Sequence, residues 1–160
     1  MRKQKGFSLI ELLIVVAIIL IIAAIAIPNL LKSRIAANEA SAVGSVRSIN
    51  TAEVTYAATY PDTGFALALT NLGGSSTGTA TSASAGLLDQ VLSGGTKSGY
   101  KFTAVGTQGS GTTINTYYTV TAIPLTTGTT GQRSFYSDQS GVIRYNTAGN
   151  TPTSLDSPLQ

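Results

Sequence analysis

One carboxylate, Glu11, stands at the head of a run that is otherwise apolar. Leu9-Ile10-Glu11 leads into Leu12–Ile27, where every side chain is apolar. An ionisable group at the edge of such a run is costly and calls for a partner. Lys5 is six residues away, and residues six apart do not share a helix face. No counter-charge is available within the same helix, so Glu11 either lies at the headgroups or is paired by another molecule. Other chemistry-bearing residues are few. The chain has no cysteine and no histidine, which excludes disulfides, Cys/His zinc sites and histidine-based triads. Gly94-Gly95-Thr96-Lys97-Ser98 lacks the glycine directly before lysine that a phosphate-binding loop needs. Lys97 and Ser98 are adjacent, and neighbours in a strand point to opposite faces, so they read as a solvated loop and not as a nucleophile with its base. Asp138 opens Asp138-Gln139-Ser140-Gly141, where its side chain suits a tight turn. No residue set reads as catalytic, and the expectation is a protein that is not an enzyme.

The elements that position Glu11 follow from charge and periodicity. The formal charge of +3 on 160 residues resides in Arg2, Lys3 and Lys5. The rest of the chain is formally neutral, which gives no support for nucleic-acid binding. A basic start before an apolar stretch is a membrane-orientation signal, with the positive flank cytoplasmic and the C-terminal part outside. Together with Leu30 and Leu31 the apolar stretch reaches roughly 20 residues, enough for the ~30 Å hydrocarbon core. Three readings are open: a signal peptide cut at the small-residue pattern Ala24-Ile25-Ala26, an uncut anchor, or an apolar helix kept after a basic leader is removed at Gly6.

Glycine, phenylalanine and glutamate stand at fixed spacing in Gly6-Phe7-Ser8-Leu9-Ile10-Glu11, ahead of the apolar helix. This stretch resembles the leader junction of type IV pilins and type II secretion pseudopilins. The resemblance covers roughly residues 1–35. It implies cleavage between Gly6 and Phe7 by a prepilin peptidase, N-methylation of Phe7, and pairing of Glu11 with the N-terminal amine of a neighbouring subunit. Pro28 falls where the family often places a helix-kinking proline. The resemblance also implies a homo-oligomeric filament and an assembly platform in the inner membrane. Major pseudopilins often carry a calcium site in a C-terminal loop. Asp138, Ser140, Asp156 and carbonyls of residues 124–131 are the candidate oxygens here, but they match no calcium-loop pattern. No residue is assigned to a metal, and no cofactor is expected.

Beyond the membrane segment, residues 32–60 are rich in alanine. Val43, Val46, Ile49, Ala52, Tyr56 and Tyr60 recur at three- and four-residue steps, an apolar stripe for a sheet to cover. Lys32, Arg34, Glu39, Arg47 and Glu53 are expected mostly off that stripe. Pro61-Asp62-Thr63-Gly64 stops the helix. Gly73–Gly86 reads as a flexible low-complexity surface loop, and Leu87–Leu92 as one or two helical turns. Strands are expected at 100–105, 115–123, 133–137 and 142–145, with Tyr100, Phe102 and Ala104 on one face and Tyr118, Val120 and Ala122 on another. Gly106–Thr113 reads as a long hairpin loop, and Asn146–Gln160 as an irregular tail.

The expected fold is α+β: a long N-terminal helix packed on a small antiparallel sheet of three to four strands. Its parts are a basic leader (1–6), a hydrophobic transmembrane and assembly helix (7–31), its amphipathic continuation (32–60) and a β-rich head (61–160). The resemblance implies a filament subunit. It serves either a type IV pilus or, as the lack of cysteine also allows, the periplasmic pseudopilus of type II secretion. A membrane-anchored or secreted adhesin that never polymerises is the reading from a different class.

Overall fold

The computed structural model describes residues 7–74 and 78–159. The basic leader, with Gly6, lies outside the described residues. One helix, α1 (Leu9–Thr59), carries both the apolar run and the alanine-rich stretch. The chain divides into two compact units, Met1–Arg34 and Ile35–Gln160.

In the first unit the helix has no covered face. Each large apolar side chain from Leu9 to Leu31 is exposed, and the segment is long and apolar enough to cross a membrane.

The second unit has a core. Ala42, Val46, Ile49, Ala52 and Tyr56 of α1 are buried. Beneath them lies an antiparallel meander in chain order: β1 (Thr96–Lys97), β2 (Tyr100–Gln108), β3 (Asn115–Pro124), β4 (Ser134–Asp138), β5 (Arg144–Asn146) and β6 (Ser157–Pro158). Period-two alternation holds in β2 and β3. Tyr100, Phe102 and Ala104 face inward beside Tyr118, Val120 and Ala122, with Phe102 opposite Ala122 and Ala104 opposite Val120. Phe135 of β4 completes the layer, opposite Ala122. Two short turns, α2 (Leu69–Leu72) and α3 (Gln90–Ser93), plug one side with buried Leu69, Leu72 and Leu92.

The sheet has six strands where three to four were expected. The additions, β1 and β6, hold two residues each, too short to show a period. Pro158 in β6 is compatible with an edge, since an edge strand leaves one side of its backbone unpaired. The tail is accordingly less irregular than expected: Leu159 N–H donates to the Ile143 carbonyl at 2.7 Å. Strand β2 also runs three residues past its expected end at Val105, which shortens the hairpin loop. It continues because the segment after α1 crosses it. Ala68 bridges to Val105, and the Ala66 carbonyl lies where a side chain on Gly106 would go. The described part of the 73–86 loop is fastened. The Tyr56 hydroxyl donates to the Ser82 carbonyl at 2.6 Å, Gly86 N–H to the Gly73 carbonyl at 2.9 Å, and Ala85 is buried.

Candidate functional site

The start of α1 is built by its own sequence. Ser8-Leu9-Ile10-Glu11 has the spacing of a capping box, in which the glutamate at the third helical position reaches back to the backbone N–H of the capping residue. Glu11 Oε2 accepts from Ser8 N–H at 2.9 Å. This corrects the expectation that nothing in the same helix serves Glu11: a backbone donor three residues back does so, although it carries no charge. The carboxylate also sits where the helix dipole favours negative charge. Phe7, the first described residue, is 83% exposed. Pro28 lies inside α1; its ring nitrogen has no proton, so the Ala24 carbonyl loses its partner in the helical ladder.

The other candidates do not converge. Lys97 Nζ lies 3.6 Å from Asp89 Oδ2, and Ser98 Oγ accepts from Ser41 Oγ at 2.9 Å, so each has a partner other than the other. Asp138 Oδ1 accepts from Ser140 N–H at 2.9 Å, and Gly141 supplies the positive φ that closes the turn. Asp156 accepts from Asn146 Nδ2 at 3.1 Å and from Thr153 N–H at 2.6 Å. Asp138 and Asp156 thus each serve a local backbone feature. Among the described residues no three acidic side chains come together as a metal cluster.

Two carboxylates on α1 have roles that the sequence reading missed. Glu39 and Glu53 were expected off the apolar stripe, yet both are buried. Glu39 Oε1 accepts from Gln132 N–H at 2.9 Å and Arg133 N–H at 3.0 Å, while Oε2 takes Arg133 Nε at 2.8 Å. Burial pushes its pKa upward, but these donors and the guanidinium outweigh burial and hold it below the usual value. The guanidinium in turn lies over the rings of Phe135 and Tyr145. Glu53 Oε2 accepts from Ala66 N–H at 2.9 Å, and its Oε1 has no partner. The signal was present in the spacing. The buried positions 39, 42, 46, 49, 53 and 56 alternate steps of three and four, so both glutamates belong to the stripe by position and were set aside only for their charge.

Comparison with known proteins places a family motif in the first unit. A family profile described as the prokaryotic N-terminal methylation motif matches residues 1–27. The chain is 67% identical over 39 residues to the type IV wide pilus major component PilA4 of Thermus thermophilus, covering 24% of this chain and 30% of that protein. It is 44% identical over 54 residues to the type IV major pilin protein PilA of Myxococcus xanthus, covering 34% and 24%. A fimbrial protein of Pseudomonas aeruginosa is 52% identical over 52 residues, covering 32% and 34%. The alignments thus span about a quarter to a third of the length of the curated relatives. No solved structure matches at a significant level. The chain carries the prokaryotic N-terminal methylation motif at residues 1–27, and over 39 to 54 residues it is similar to type IV pilins.

Proposed function

We propose that this chain is the structural subunit of a type IV pilus. The observation that carries the reading is the exposed apolar surface of α1 from Leu9 to Leu31, directly behind the methylation motif. In water that surface would cost about 25 cal/mol per Å², so a subunit leaving the bilayer must bury it against other copies. The precursor spans the inner membrane once, with its leader cytoplasmic and its head outside. Prepilin peptidase cuts between Gly6 and Phe7, Phe7 is N-methylated, and an assembly platform in the inner membrane adds the subunit to a homo-oligomeric filament.

The cap geometry gives Glu11 a specific part. Oε2 serves the subunit's own Ser8 N–H, while the carboxylate has lone pairs left for the amine that cleavage creates on Phe7 of a neighbour. A buried carboxylate is tolerated when paired, so this contact sets the axial register. Pro28, by removing one ladder bond, gives the helix a point at which it adapts to its neighbours.

Deletion of the gene followed by electron microscopy of the cell surface tests the reading. Long filaments lost on deletion and restored by the intact gene are expected. A protein-export defect with no change in filaments would overturn it in favour of the type II secretion pseudopilus.

A further inference from the structure

Glu53 is a carboxyl with 0% exposure in the core of the head. It has one hydrogen bond, from Ala66 N–H, and an oxygen, Oε1, that nothing satisfies. Among the described residues it makes no ion pair.

The groups that face it do not compensate a charge. Tyr56 on α1 and Tyr118 on β3 both lie close enough for a Glu53 charge to raise their pKa values, with burial the larger cause in each. Tyr60 and Asp138 act in turn on those two phenols. From the segment after α1 come Ala66 and Phe65, the latter tilted at 56° against the Tyr118 ring with centroids 4.7 Å apart. One turn earlier on α1, Asn50 Oδ1 is a second buried acceptor without a donor. Glu53 therefore has phenols near it and, among the described residues, no cation paired with it. An ionised carboxylate in such a place is strongly disfavoured, and a single N–H does not offset its lost hydration. Burial, opposed by the Ala66 bond, pushes the carboxyl up to about 7.

Its single bond is placed to matter. Residues 60–68 link α1 to α2 and are held at Phe65–Ala66 from two sides. Phe65 N–H donates to the Asn115 carbonyl at 2.9 Å, and Asn115 Nδ2 returns a bond to the Phe65 carbonyl at 2.9 Å. On the other side, Glu53 holds Ala66 to α1.

We propose that Glu53 is a protonation latch, holding Ala66 against α1 while it carries its proton and releasing it when it loses it. The device is independent of the assembly reading, since every group in it belongs to the head. Opening admits water to the carboxylate, and in water its pKa returns to the ordinary range. The open state is therefore favoured as pH rises from that range through the folded pKa, and closed at lower pH.

Hydrogen exchange on the full chain in detergent micelles, followed at Ala66 from pH 5 to pH 8, tests this. After correction for intrinsic exchange, the open population rises on the order of a hundredfold across that range. Glu53→Gln keeps an acceptor for Ala66 and cannot ionise, so its protection stays flat. Protection at Ala66 that is flat in the natural chain, or that falls equally in Glu53→Gln, would overturn the proposal. A carboxyl ¹³C titration of Glu53 in the natural chain gives a second reading that needs no variant. A midpoint near 7 is expected, and one near 4.5 overturns the latch.

Discussion

Glu11 and Glu39 are both carboxylates on one helix, and their surroundings give them opposite pairings. Glu11 accepts from an uncharged backbone donor among the described residues, and in the proposed filament its cationic partner is the neighbour's amine. Replacing it with Gln retains an acceptor for Ser8 N–H and removes the charge. Glu11→Gln is expected to leave precursor processing intact and to reduce filament yield at least tenfold, as read by shearing and immunoblot. Unchanged yield would remove its register role. Glu39, by contrast, is satisfied inside the head by two backbone N–H groups and Arg133. Its folded pKa lies below the ordinary glutamate value. Its contribution is therefore present above that value and is lost as pH falls through the folded pKa. Thermal melting from pH 6 to pH 3 should show this loss. Glu39→Gln should melt with a weaker acid dependence and cost about 2 kcal/mol at pH 6, since Arg133 is partly exposed and screened. At this scale the sequence was informative where residue type and spacing agreed, as in the Asp138 turn. It misled where charge was taken as a sign of exposure, because the donors that offset burying Glu39 come from Gln132 and Arg133, far along the chain.

Elements were legible in proportion to their length. The long helix, its stop before Pro61, and the inward faces of β2 and β3 follow from period and composition over many residues. The two-residue strands β1 and β6 do not, because their pairing depends on a neighbour already in place. The crossing of residues 60–68 over β2 depends on a neighbour in the same way, and Gly106 carries a trace of it. A Cβ there would meet the Ala66 carbonyl, so Gly106→Ala should destabilise the head by about 1–3 kcal/mol in denaturant melts. The 73–86 loop shows how a polar low-complexity stretch becomes ordered at particular points. Tyr56→Phe deletes the hydroxyl that holds the Ser82 carbonyl. It should cost about 1 kcal/mol and raise amide exchange across residues 81–86 while β2 and β3 stay protected.

The whole chain joins a surface with no partner to a head with a complete core. From Leu9 to Leu31 the helix exposes apolar side chains, whereas Ile35–Gln160 forms its own compact unit. A chain shortened to begin at Ile35 should be soluble and monomeric by light scattering without detergent, and the full chain should require detergent or lipid. Aggregation of the shortened chain would mean that the head itself hides an apolar interface. In the proposed filament the exposed apolar helix surface from Leu9 to Leu31 sets the mode of assembly. In the proposed filament the apolar helix is retained and starts at the amine that cleavage leaves on Phe7. Intact mass and N-terminal fragment spectra of the mature protein from sheared surface filaments decide this. A chain that begins at N-methylated Phe7 is expected; a chain that begins at Ile27, or an uncut Met1, would overturn the proposed assembly.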